Sequence, residues 1–296
     1  MVYKTGILTS DKDALKKEII RKILYTEAET YLEFGAAVES REINTLNFGL
    51  TLPRVERLDP EEITEGTLAQ YQKLDWFDID TKLKKYQTRL LTTDEAKARN
   101  QIQIQMDYTM TAVARGLAWR KDTEIKNTLK AAKGTTIEGD SFWDDAANSN
   151  IPKDLASAVK YVITHTYMTV AQMKGALLFY PAELNAFMIQ PARPNDYMTT
   201  SMSPLEWIQN KYGIIPLPTR QLDGEAMLVY KGKETAMHLV YNGTEIPLVE
   251  WAREYGVGDM WYVTQMYKTF VMPSSEEDQT TNDRIILISD VCEVRE

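Results

Sequence analysis

An alternating segment that runs straight into a long amphipathic helix, between Trp76 and Leu117, constrains this chain more than any other stretch. Phe77, Ile79 and Leu83 fall on one side of an extended backbone, and Asp78, Asp80, Lys82 and Lys84 on the other. That is the pattern of a strand with one wet face, placed over Trp76 to Leu91. Leu91 then precedes Thr92-Thr93-Asp94-Glu95. There the Thr92 hydroxyl can accept from the Glu95 amide while the Glu95 carboxylate reaches back, with Leu91 and Ala96 set as a hydrophobic staple. The helix that begins here carries Ile102, Met106, Met110, Val113 and Leu117 on one face. Gln101 to Gln105 also alternates as a strand would, but glutamine is a good helix former and the helical spacing persists for another three turns.

The chain has 296 residues, enough to bury a substantial core as one large domain or two interlocked ones. Its apolar runs, Gly175 to Phe179 and Ile285 to Ile288 the longest, are strand-sized, so no membrane span is expected. Met1 to Ser10 lacks the apolar core of a secretion signal, which implies a cytoplasmic birthplace. Cys292 is the only cysteine, excluding an intrachain disulfide and a cysteine-rich metal site. A net charge of −9 argues against a chain whose main task is to neutralise phosphates, although a container around nucleic acid needs only one compatible face.

Ser10 to Leu32 reads as an amphipathic helix, with Leu15, Ile19 and Ile23 in one row and Ile20, Leu24, Ala28 and Tyr31 in the next. Its other face carries Lys12, Lys16, Lys17, Arg21, Lys22 and Glu29, a solvated face or a surface for membrane or nucleic acid. From Arg41 to Leu74 the pattern weakens, punctuated by Gly49, Pro53, Pro60 and Gly66. Such an excursion is either a surface insertion or an arm that packs on a neighbouring chain, with Arg54, Arg57, Glu61, Glu62 and Lys73 as its candidate contacts. Beyond the long helix, Trp119 to Ala132 reads as a second helical piece and Ile151 to Ile163 as another helix with proline near its start. Gly175 to Tyr180 reads as a buried strand, and Ser203-Pro204-Leu205-Glu206 opens a capped helix ended by Gly213. Short strands are expected at Ile214 to Leu217, Ala226 to Tyr230 and Met237 to Tyr241, a long one at Met260 to Met272, and a last one at Ile285 to Ile288.

No constellation of catalytic residues emerges. His165 and His238 lack a second ligand at metal spacing, and Ala131 to Thr136 lacks the glycines of a phosphate loop. Gly139-Asp140-Ser141 is not followed by the glycine of a nucleophile elbow. Asp75, Asp78 and Asp80 form a carboxylate group, but Asp78 and Asp80 share a face with Lys82 and Lys84 as a charge ladder would. Asn242-Gly243-Thr244 reads as a turn. No catalytic residue, cofactor or metal is therefore expected.

The order of elements resembles the HK97-like fold of tailed-virus major capsid proteins, which encapsulin shells share. The match runs from the N-terminal arm and the Arg41 to Leu74 excursion through the strand and long helix to Trp119-Arg120-Lys121-Asp122-Thr123-Glu124. It continues with the helix at Asp154 to Val159 leading to Gly175-Ala176-Leu177-Leu178-Phe179-Tyr180-Pro181, with Tyr212 to Leu217 and Ala226 to Tyr230, and closes with Met260 to Met272. The resemblance implies an α+β chain: an N-terminal arm over 1–40, an E-loop over 41–75, a peripheral domain with the spine helix over 76–150 and 259–296, and an axial domain over 151–258. It implies a subunit that assembles with itself through hexamers and pentamers into an icosahedral shell around a double-stranded DNA viral genome, contacting that DNA non-specifically. The virion capsid would assemble in the host cytoplasm, with a decoration, scaffold or portal protein as further partners and no membrane. The rival readings are an encapsulin-type compartment around enzyme cargo and a cytosolic enzyme using Asp78, Asp80 or His165.

Overall fold

The computed structural model describes residues 21–44, 47–53, 76–95, 102–145, 150–166, 168–169, 171–190, 202–241, 248–254, 258–274 and 280–293. Helix α1 covers 21–30, and a 3-10 turn follows at Phe34–Ala37. Then come β1 (Glu39–Ile43), β2 (Asn47–Pro53), β3 (Trp76–Lys82), β4 (Lys84–Thr93), α2 (Ile102–Ala131), β5 (Lys133–Glu138) and α3 (Ile151–His165). The rest is β6 (Leu177–Pro181), α4 (Asn185–Ile189), α5 (Pro204–Tyr212), β7 (Ile215–Thr219), β8 (Ala226–Val229), β9 (Ala236–Tyr241), β10 (Leu248–Glu254), β11 (Gly258–Val271) and β12 (Asn282–Ser289).

The long helix is longer than its apolar stripe suggested. The pieces expected on either side of Ala118 are one 30-residue helix, roughly 45 Å from end to end. Met110, Val113, Ala114, Leu117 and Ala118 bury against Leu24 and Ala28 of α1 and against Val249, Trp261 and Val263 of one sheet. Ile125 and Leu129, two turns further on, enter a different core formed by β6, β8 and β12. One helix face thus serves two sheets.

The first sheet runs β1-β9-β11-β10, with β4 on the other side of β11. Strand β11 carries it, pairing antiparallel with β4 over Gly258–Tyr267, with β10 over Gly258–Thr264 and then with β9 over Tyr267–Val271. Its length lets it change partner part-way along one edge. The second sheet runs β5-β12-β8-β6-β7 and is covered on both faces. Leu177, Phe179, Met227, Val229, Ile285 and Leu287 point to the α2 side, while Leu178, Tyr180, Leu228, Ile286 and Ile288 point to α3. Two buried faces explain why these strands read as continuous apolar runs rather than alternating ones.

The strands depart from the sequence expectation chiefly in their partners and extent. The strand read over Trp76 to Leu91 is two strands, β3 and β4, divided at Leu83 and belonging to different sheets. Lys133–Glu138, read only as a failed phosphate loop, is strand β5 and pairs parallel with β12. The boundaries drawn at 150/151 and 258/259 cut both sheets: β5 and β12 bond into the sheet of β6 and β8, while β9 bonds to β11. Short strands with similar composition do not disclose their partners, and only the register does.

Local signals for helix ends held where they were strongest. Ser203 Oγ accepts from the Glu206 amide at 3.3 Å, and the Ser203 amide donates to the Glu206 carboxylate at 3.2 Å. Gly213 closes α5 at φ +68°, with Lys174 so near that a Cβ there would fall 2.9 Å from the lysine side chain.

Between the two cores, α2 presents Asp122, 1 % exposed. Its carboxylate accepts from the Glu33 amide at 2.6 Å and the Phe34 amide at 3.1 Å, capping the 3-10 turn that follows α1. Burial pushes the Asp122 carboxyl up to about 6, against the pull of these two amides. The folded chain then binds this proton more tightly than the unfolded chain. The Asp122 contribution to stability is full below about pH 4 and lost as pH rises through about 6. Asp122→Asn is expected to flatten that slope in denaturant melts across pH 4–7. Asp122→Ala, which strands two buried donors, is expected to cost about 2–4 kcal/mol.

Candidate assembly surfaces

Strands β2 and β3 form a two-stranded antiparallel ribbon, in register from Asn47↔Lys82 to Pro53↔Trp76. Among the described residues neither strand pairs with, or packs extensively on, any other element. A two-stranded ribbon standing alone is marginal in water and needs a further surface to be stable. The candidate contacts Arg54, Arg57, Glu61, Glu62 and Lys73 belong to the stretch between these strands and lie outside the described residues, as does Asp75. Asp78 and Asp80 sit on β3 opposite Thr51 and Gly49.

The strap from Leu32 to Val38 fixes where this ribbon leaves the body. Glu33 accepts from the Thr219 hydroxyl and, at 3.1 Å, from the Arg220 amide, tying the strap to the end of β7. Phe34 is fully buried and stacks on Phe179 with ring centroids 4.3 Å apart. Strand β1 then joins the first sheet parallel to β9, with Glu39, Ser40, Arg41 and Glu42 exposed. The strap falls within the stretch that reads as a helical arm over 1–40 and is not itself apparent from the sequence pattern. The available signal was Phe34, a large apolar residue just past the helix.

Exposed apolar side chains are scattered around the body: Trp119 on α2 (55 %), Ile189 on α4 (57 %), Ile215 on β7 (44 %) and Leu91 on β4 (41 %). Pro216 and Pro218 remove two amide donors from β7, the outer strand of the second sheet, which discourages strand addition there.

The remaining chemistry-bearing residues are built into structure. His238 is buried between β9 and β11, its Nδ1 2.9 Å from the Thr269 hydroxyl, and burial takes its pKa down to about 3. It stays neutral in ordinary buffers. His165 is exposed at the end of α3, stacked on Tyr161 and bonded to the Tyr161 carbonyl at 3.0 Å. Asp154 is buried and accepts from Trp143 Nε1 at 2.9 Å and from the Asp140 amide at 3.1 Å, closing the 139–145 loop. Burial raises its pKa. Among the described residues, no group of three acidic, histidine or cysteine side chains is placed to hold a metal, and no helix is long and apolar enough to cross a membrane.

No protein-family model matches the chain, and no curated protein matches it either. Solved structures do. A virus-like particle from Pyrococcus furiosus superposes with a TM-score of 0.64 at 10% identity, covering 92% of this chain and 98% of that one. The fold is HK97-like. The capsid of a native GTA particle gives a TM-score of 0.60 at 9% identity over 88% of this chain and 90% of that one. The SrpI encapsulin of Synechococcus elongatus PCC 7942 gives 0.51 at 12% identity over 88% of both.

Because Phe34 locks the strap against the second sheet, Phe34→Ala is expected to destabilise the subunit by about 3–5 kcal/mol in equilibrium denaturation. Trp119→Ala, at an exposed position, is expected to leave that stability within about 0.5 kcal/mol.

Proposed function

We propose that this chain is a major capsid protein of a tailed virus, assembling with copies of itself through hexamers and pentamers into an icosahedral shell around double-stranded DNA. The observation that carries the reading is a two-stranded ribbon that, among the described residues, joins neither sheet of an HK97-like body, a fold shared with particle-forming proteins over about nine-tenths of the chain. On this reading the E-loop expected over 41–75 begins after β1 and includes β3, over 47–82, and Arg54, Arg57, Glu61, Glu62 and Lys73 meet a neighbouring subunit. Rim charge pairs of this kind contribute little singly but fix register together. The peripheral unit is the first sheet with the body of α2, and the axial unit is the second sheet with α3 to α5. The chain is a structural component and not an enzyme. It works in the virion shell, built in the host cytoplasm, with decoration, scaffold or portal proteins as further partners.

Likeness to the SrpI encapsulin supports a second reading, a compartment enclosing protein cargo. The two differ in their contents. Negative-stain microscopy of the protein purified from its native producer is expected to show closed particles, and nuclease treatment followed by extraction is expected to release protected DNA. Particles holding protein and no DNA would select the compartment. A small oligomer without particles would reject both. Deleting 47–82 is expected to leave a folded, soluble subunit that elutes as small species in size-exclusion chromatography. Full-sized particles from that deletion would remove the E-loop from the assembly.

A further inference from the structure

A cavity of about 480 Å³ opens between the middle of α2, the start of β4 and the end of β11. Three cations line it, Lys84, Arg120 and Lys268, against one carboxylate, Glu124. That carboxylate is already engaged. It accepts from the Tyr86 hydroxyl and, at 3.4 Å, from the Thr269 amide. The Arg120 guanidinium lies over the Tyr86 ring, 5.3 Å from its centroid, and Tyr86 stacks in turn on Tyr267 with centroids 4.6 Å apart. The wall is therefore held by stacking and hydrogen bonds on one side, while two lysines converge on the other.

Lys84 and Lys268 are brought together by the register that sets Lys84 opposite Tyr267. Lys268 is held below the usual lysine range, first by burial and next by the charge of Lys84. Two ammonium groups sharing a partly enclosed space repel, and an anion placed between them removes that repulsion while gaining charge-assisted hydrogen bonds. Asn127 adds an amide at the rim. In a chain of net charge −9, three cations around one cavity, Lys84 and Arg120 at its exposed mouth and Lys268 half-buried, are a local feature and not a reflection of composition.

We propose that this cavity binds a compact phosphoanion, a di- or triphosphate group, through Lys84, Lys268 and Arg120. Counting one carboxylate against three cations, the ligand has to bring at least two negative charges to balance the site. A single phosphodiester of a duplex brings one, whereas pyrophosphate brings two or more. The volume accommodates a short phosphate chain with some of its water. The cavity is lined by one chain, so binding can be measured on the unassembled subunit.

The test is a thermal-shift and calorimetric titration of the full chain with pyrophosphate, with sodium chloride holding the ionic strength constant. The expected result is a rise in melting temperature and saturable heat that matched chloride does not give, and that succinate and a duplex oligonucleotide at equal phosphate concentration do not reproduce. Lys84→Gln/Lys268→Gln is expected to fold and to weaken pyrophosphate binding by at least about tenfold. Lys84→Gln alone, at an exposed position, provides a second variant and is expected to weaken it less. No response beyond chloride, an undiminished response in the double variant, or a response to duplex or succinate equal to that of pyrophosphate would each overturn the assignment.

Discussion

The architecture depends on one helix face shared between two sheets. Met110 to Ala118 belong to the core of the first sheet and Ile125 and Leu129 to the core of the second, so α2 fixes their relative position through continuous hydrogen-bonded backbone. A helix of 30 residues is not stabilised by propensity alone, and the burial of its apolar stripe supplies most of what holds it. Where the stripe passes from one core to the other, Asp122 interrupts it with a buried carboxylate. That interruption is used: the two amides it binds open the 3-10 turn and aim the strap across the second sheet. Burial penalises the charged form, and the two donors offset that penalty only in part, so the carboxyl keeps a raised pKa.

The two sheets solve the burial problem differently. In the second, both faces are covered, by α2 and α3, and the central strands alternate between two cores. In the first, β11 binds every other strand directly or through β9, and the sheet edge at β1 carries charged, exposed residues. The ribbon of β2 and β3 leaves from that same edge. Its two ends are held by the first sheet, through β1 on one side and through Leu83 and β4 on the other.

Much of this was legible in the residues. The stripe from Ile102 to Leu117, the Ser203–Glu206 box and the long strand ending near Met272 carry strong local signals, and the structure places a helix, a capped helix and a strand there. Pairing was not legible. Lys133–Glu138 has too little apolar content to read as a strand, and it becomes one because Asn282–Ser289 offers a parallel partner. The split at Leu83 was hidden because the alternation of Phe77, Ile79 and Leu83 continues smoothly across it, while hydrogen bonding sends each half to a different sheet. The cationic cavity was invisible for the same reason: Lys84, Arg120 and Lys268 are distant in sequence and meet only through the register of β4 on β11 and the packing of α2.

If the ribbon is buried by a second copy of the chain, its backbone amides report that burial. Hydrogen exchange of the amides in 47–53 and 76–82, compared between dissociated subunits and intact particles, tests it most directly. Rapid exchange in the subunit and strong protection in the particle are expected, with α2 and the second sheet protected in both. Equal protection of the ribbon in both states would mean that it is already buried within its own subunit, and would contradict the account.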